Sequence, residues 1–286
     1  MAIPKVAAIH DLSGLGKCSL TAAIPILSVC GVQAVPLATA VLSNQTAFES
    51  YTGVDLSEYL PMIAAEWKKR KLSLDGIFTG YLSNEQQVEW VGGFIDSFAK
   101  DDTLILVDPV LGDEGVYYRG FGEQMRLAMR RLCGKADVIT PNLTEACMLL
   151  KIPPFTEGLS RSQAKSLLVR LSELGPNYVV ITGAPMVSGQ IANIGYDRQH
   201  NSFWCILCDY VPVSYPGTGD LFASVLTGGF LTGDSLPMAM GRASYFVERC
   251  IKTTFSYSSD TRYGVMLEKE LGALIDRQNV KDFSLL

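Results

Sequence analysis

Histidine is scarce in this sequence: His10 and His200 are the only two in 286 residues. Two are too few to complete an ordinary zinc site. There is no disulfide framework either. The seven cysteines (Cys18, Cys30, Cys133, Cys147, Cys205, Cys208, Cys250) are scattered and odd in number, whereas stapled secreted domains favour short chains with even counts. A reducing, cytoplasmic setting is therefore expected. Cys205 and Cys208 form one C-x-x-C with no second pair to match it, and within the strand-like run FWCILC a structural role is expected. No apolar run reaches the ~18 residues of a membrane helix. The short apolar stretch near the N-terminus breaks at His10-Asp11, so neither a signal peptide nor a membrane span is expected. Basic residues are outnumbered, 24 against 29 acidic, for a net charge of −5; the chain lacks the basic field of a nucleic-acid or membrane-surface binder. Phosphate binding is not excluded, since backbone amides and one or two placed cations suffice. Linkers, low-complexity tracts and internal repeats are also missing.

What remains is ample core material, 48% hydrophobic against 19% charged, enough for one domain spanning residues 1–286. Short β-branched runs alternate with amphipathic segments. Strands are expected at Val6 to Ile9, Gln33 to Leu37, Gly76 to Thr79, Thr103 to Asp108, Asp137 to Thr140 and Tyr178 to Thr182. Helices are expected at Cys18 to Cys30, Ser57 to Arg70, Glu85 to Phe98, Glu123 to Leu132, Thr144 to Leu150 and Ser162 to Leu174. This βα repeat predicts an α/β, Rossmann-like three-layer sandwich: a mostly parallel central sheet with helices on both faces. Gln190 to Tyr196 and Ser202 to Cys208 read as an antiparallel edge hairpin. The rest reads as helices: Leu221 to Leu231, Leu236 to Ile251 and Val265 to Arg277. Ligands of such sheets gather at the carboxyl ends of the strands, which here carry His10-Asp11, Thr39, Thr79-Gly80-Tyr81, Asp108-Pro109, Thr140-Pro141-Asn142 and Thr182-Gly183.

The segment that speaks most of chemistry is Pro216-Gly217-Thr218-Gly219-Asp220, directly before an apolar helix. Two glycines let successive N–H groups point one way, and the helix N-terminus adds its dipole, so a transferring phosphoryl group would be well held. Asp220 stands where a carboxylate could take a proton from an attacking alcohol, although an Asp at a helix start can equally be an N-cap. Further on, Asp108 and Asp113 follow a strand, and Asn142 and Glu145 surround a helix start. Hard-oxygen groups of this kind suit Mg²⁺, while Asn142 with Glu145 also has the form of a capping box. Ser13 to Ser19 imitates the G-x-x-x-x-G-K-[ST] phosphate loop but fails at both ends: Asp11 stands where the first glycine should, and Cys18 replaces the hydroxyl. It is expected to be a turn into the first helix. Phe48, Trp67 and Trp90 read as packing residues.

The set Val41–Thr46 (VLSNQT), Thr79–Leu82 (TGYL), Asp108–Asp113 (DPVLGD), Ile139–Asn142 (ITPN) with Glu145, Val180–Thr182 (VIT) and Gly217–Phe222 (GTGDLF), in that order, resembles the pyridoxal kinases of the ribokinase-like superfamily. The resemblance runs through most of the chain. It implies a ribokinase-like sandwich, usually a homodimer, that uses ATP and Mg²⁺, often helped by K⁺ or another monovalent cation, on a small-molecule substrate, a B6 vitamer. By the same resemblance Asp220 is the catalytic base, with Gly217, Thr218 and Gly219 as the anion hole. Asp113, Tyr117, Asn142, Thr182, Thr218 and Gly219 match ATP-binding positions, and Asp113, Glu145 and Asp108 the metal. Thr39 and Tyr81 match positions lining the pyridine pocket, with His10 beside them. Two departures stand out: Asp11 replaces a ring-binding serine found in many pyridoxal kinases, and the segment Asp209 to Pro216 is short for a nucleotide lid. Hydroxymethylpyrimidine kinases resemble the chain in fold but typically carry cysteine at the position of Asp220; they are the alternative reading.

Overall fold

The computed structural model describes residues 3–286. In chain order its elements are β1 (Lys5–Leu15), α1 (Ser19–Val29), β2 (Gln33–Asn44), β3 (Gly53–Asp55), α2 (Leu60–Lys69), β4 (Gly76–Thr79), α3 (Glu85–Phe98), β5 (Leu104–Val107), β6 (Gly112–Asp113), β7 (Val116–Tyr117), α4 (Glu123–Cys133), β8 (Val138–Ile139), α5 (Leu143–Leu150), α6 (Arg161–Ser172), β9 (Tyr178–Pro185), β10 (Ile191–Asp197), β11 (Ser202–Cys208), α7 (Thr218–Leu231), α8 (Leu236–Ser256) and β12 (Ser284–Leu285). Ten strands form one sheet in the order β12-β11-β10-β9-β8-β5-β4-β1-β2-β3. Its middle, from β2 to β9, is parallel, and β3 and the β10–β11–β12 set close the two edges antiparallel.

Alternation along the buried strands divides the core. Ala7, Ile9, Ile77, Val107, Ile139, Val179 and Ile181 face α2 to α6. Val6, Ala8, Phe78, Leu106, Val138 and Val180 face α1, α7 and α8. Both faces of each central strand are thus apolar, as parallel strands between two helix layers require.

Two elements depart from expectation. β1 and β2 run on past the core to Leu15 and Asn44, with a bulge where His10 pairs Ala38 but Leu12 pairs Val41. Thr39 and Ala40 therefore stand opposite Asp11 alone, and a bulge of this kind re-aims side chains at a sheet's end. The expected helix over Val265 to Arg277 is instead two short 3₁₀ turns, Leu267–Lys269 and Leu271–Leu274, preceded by a third at Thr261–Tyr263. Tertiary anchoring overrides helix propensity there. Met266 donates its N–H to Thr254 Oγ1, Glu270 is taken by Arg249 and Thr253, and Leu267 and Leu274 sink beside α1 and α8. Among the described residues no helix is long and apolar enough to cross a membrane.

Candidate active site

The turn before α7 is fixed by backbone geometry. Gly217 has φ +86°, and a Cβ there would lie 2.0 Å from the Lys17 carbonyl oxygen, so only glycine fits. The phosphate-loop imitation at residues 13–19 thereby becomes a buttress: Lys17 donates its N–H to the Tyr263 carbonyl and packs between Gly217 and Gly264. α7 then starts at Thr218 and carries Asp220 in its first turn.

Asp220 is held from the neighbouring helix α1, on the same face of the sheet. The Ser19 N–H donates to Asp220 Oδ2 at 2.9 Å, and Ser19 reaches this position with φ +48°, a left-handed conformation uncommon outside glycine. Burial pushes the Asp220 carboxyl up to about 7; the Ser19 amide opposes that shift and the charge of Asp11 adds to it. Asp11 is itself buried, accepts the Ser13 hydroxyl at 2.7 Å, and is raised above the usual carboxylate range by desolvation.

On one side of Asp220 opens a cleft of about 790 Å³. Of the predicted site residues, Asp108, Asp113, Asn142, Glu145, Thr182 and the whole Gly217–Asp220 turn line it. The lid segment does as well, through Asp209, Tyr210, Val211 and Val213, with Asp209 tied to Lys252. The lining includes seven carboxylates and no lysine, arginine or histidine. Asp108 is raised well above its ordinary range by burial and by the charges of Glu145 and Asp220.

On the other side of Asp220, at the ends of β1, β2 and β4, lie Asp11, Thr39, Tyr81 and His10. None lines the large cleft. The Thr39 hydroxyl is buried without a partner, and Tyr81 stacks on Phe121 at 5.7 Å with the charges of Asp11 and Tyr51 bearing on its hydroxyl. His10 is fully buried and stands beside Asp220, with Nδ1 3.7 Å from Oδ1.

Two further expectations are corrected. Tyr117 sits on the β6–β7 hairpin near Glu123 and Arg126; it is Tyr118 that lines the cleft, among Glu145, Asp113, Asp108 and Asp220. A one-residue step along a hairpin moves a side chain to the other face. The metal set is not preassembled either: among the described residues no group of three or more His, Cys, Asp or Glu is placed to hold an ion. Glu145 is committed to backbone amides, accepting from Leu111 at 3.0 Å and Asn142 at 2.9 Å. Asn142 accepts from the Glu145 N–H and donates to the Gly112 carbonyl. This is the capping box, and through Leu111 and Gly112 it fixes the loop that presents Asp113.

Known proteins resemble the chain closely. The model of the phosphomethylpyrimidine kinase family matches residues 20–264. A Bacteroides thetaiotaomicron protein assigned as a phosphomethylpyrimidine kinase and crystallised with pyridoxal is 45% identical, with a TM-score of 0.96 and 100% of both chains covered. Pyridoxal kinase from Lactobacillus plantarum is 29% identical with a TM-score of 0.87, over 96% of this chain and 97% of that one. The pyridoxal kinase PdxY of Rubrobacter xylanophilus is 26% identical over 263 residues, 87% of each chain. The chain belongs to the phosphomethylpyrimidine kinase family and shares the ribokinase-like fold of its pyridoxal kinase relatives.

Proposed function

We propose that the protein is an ATP-dependent kinase that phosphorylates the 5′-hydroxymethyl group of B6 vitamers, with Asp220 as general base. The observation that carries this reading is the position of Asp220. It stands at the N-terminus of α7, lines an acidic, nucleotide-sized cleft, and feels the charge of Asp11, which also bears on Tyr81. The acceptor hydroxyl lies against Asp220, which takes its proton as the oxygen–phosphorus bond forms; the bond from the γ-phosphorus to the bridging oxygen breaks, and ADP leaves. The amides of residues 217–220 hold the transferring group. Thr182 and Asn142 border the nucleotide, and Tyr118 takes the place expected of Tyr117.

An all-acidic lining with several buried, mutually repelling carboxylates fits a nucleotide that brings its own cations. Magnesium keeps most of its waters and binds through one or two carboxylates plus phosphate oxygens. Asp108 and Asp113 would hold it, with Glu145 positioning the Asp113 loop, and the ion would offset charge on the phosphates. A monovalent cation such as K⁺ suits the same lining. Seven free thiols suit a cytoplasmic protein. A homodimer is supported by exposed apolar side chains at the β2–β3 edge, Val41 and Val54, which pair across the two strands.

A second reading, hydroxymethylpyrimidine as acceptor, is favoured by the family whose model matches. Parallel assays of ATP consumption with pyridoxal, pyridoxamine, pyridoxine, hydroxymethylpyrimidine and ribose separate them. The first reading expects a B6 vitamer to give the highest kcat/KM; a preference for hydroxymethylpyrimidine or ribose overturns it.

A further inference from the structure

One buried side chain beside the site has no function in the scheme above. His10 is 0% exposed, and both of its ring nitrogens lack a hydrogen-bond partner. Leaving two such groups unmet is costly, and no core requirement asks for an imidazole there; its contact with the Phe78 ring, edge-on at 4.3 Å, would be made as well by phenylalanine. Three facts aim the ring at Asp220. Asp220 Oδ1 stands 3.7 Å from Nδ1. Oδ2 of the same carboxylate is already occupied by the Ser19 N–H. Between ring and carboxylate the chain places Gly80, where a Cβ would lie 2.3 Å from Nδ1 and 3.4 Å from Oδ1; any other residue would part the two groups.

We propose that His10 is the positioning residue of Asp220, its Nδ1–H directed at Oδ1 and closing to a hydrogen bond when substrates fill the site. The inference rests on the reading of Asp220 as base. A gap of 3.7 Å is too long for a hydrogen bond, but such contacts tighten in the loaded state. Burial holds the imidazole's pKa down at about 3, so it donates as a neutral ring and adds no charge. The other groups facing Asp220 are Asp11 from β1, Cys18 from the turn before α1, Asp108 beyond β5 and Tyr118 beyond β7. The acids among them raise its proton affinity, and the two donors, the Ser19 amide and His10, oppose them.

The test compares H10F, which keeps a packed ring, with H10N, whose amide nitrogen falls near the position of Nδ1. H10F should lower kcat about tenfold, leave both KM values within about twofold, and move the acid limb of kcat up by about one pH unit, the tenfold equivalent of a lost donor. H10N should restore most of kcat and the limb, and H10F made in a D220N background should lower kcat no further. Parent-like kcat and pH limb in H10F, or an equal loss in the D220N background, overturns the proposal. Should H10F not fold, ¹⁵N spectra of the unaltered protein decide, since only His10 and His200 contribute imidazole signals. The proposal requires the Nδ1–H tautomer at His10 and a shift of its signals in D220N; an Nε2–H tautomer indifferent to D220N overturns it. That readout needs no turnover. If D220N is fully active, the base reading fails on its own, separately from the tautomer.

Discussion

On the proposed mechanism, Asp220→Asn removes the proton acceptor and little else. The side chain keeps its size, and the Asn carbonyl can still accept the Ser19 N–H that now meets Oδ2 at 2.9 Å. General-base assistance is worth about 10²–10⁴-fold, so kcat for pyridoxal should fall by that factor, read as ADP release in a coupled assay. Nucleotide affinity by calorimetry should hold or tighten, because one of the mutually repelling charges around Asp108 is gone. Stability should move the other way from activity. A rise from 3.8 to about 7 in the buried carboxyl corresponds to roughly 4 kcal/mol of penalty on the ionised form, an upper bound. The sign follows from linkage. With the folded-state value above the unfolded one, the carboxyl's contribution is full below the unfolded value and is lost as pH rises through about 7. At pH 8 the parent therefore carries nearly the whole penalty and the amide none, so D220N should melt a few degrees higher there, at about 2–4 °C per kcal/mol recovered. The gap should narrow as pH falls and close only below about pH 4, under the unfolded value of 3.8. Turnover within threefold of the parent refutes the base assignment; an unchanged or lower melting temperature at pH 8 refutes the electrostatic account of the site.

The remaining predictions are simpler to state. The same sign applies to Asp108 and Glu145, both raised by burial, so the thermal shift produced by magnesium with nucleotide should be larger at pH 8 than at pH 6; a shift independent of pH counts against a cation among these carboxylates. G217A should abolish activity and lower the melting temperature, since its methyl group must displace the Lys17 carbonyl 2.0 Å away in a left-handed backbone; an active, stable G217A removes the buttress argument. Asn142→Ala should cost about 1 kcal/mol through the lost cap and weaken nucleotide binding by loosening the Asp113 loop, measured by denaturant melts and calorimetry. Asp11→Ser should shift kcat/KM away from the amine-bearing vitamer, pyridoxamine, relative to pyridoxal; an unchanged ratio means that Asp11 does not face the acceptor's charge.

How far the sequence reached depended on whether one residue's chemistry implied its geometry. The parallel sheet was readable because every central strand must be apolar on both faces, and the Gly217–Asp220 turn because two glycines before an apolar helix admit few backbones. Asn142 and Glu145 were readable as a capping box, and the structure commits Glu145 to the backbone amides of Leu111 and Asn142. Tyr118 was hidden because two adjacent tyrosines carry one composition but opposite faces, and the face is set by a two-residue strand too short to show a period. Ser19 carried no signal at all: a serine with φ +48° looks like any serine, and its left-handed turn is imposed by what surrounds it. The same holds for Val265 to Arg277, where propensity favours a helix and contacts with side chains of α8 go with 3₁₀ turns.

These failures share a cause that bears on the chemistry. Asp220, Ser19, His10 and Gly80 come from α7, α1, β1 and the end of β4, up to 201 positions apart in sequence for the Ser19–Asp220 contact. A single strained amide and a single missing Cβ decide which carboxylate oxygen is free, and neither leaves a local pattern. The sequence motif thus locates the acid, while the contacts that would fit it for the proposed base role come from other elements. Substitutions that preserve the motif but alter residue 19 or residue 80 should therefore weaken turnover more than they weaken binding of either substrate.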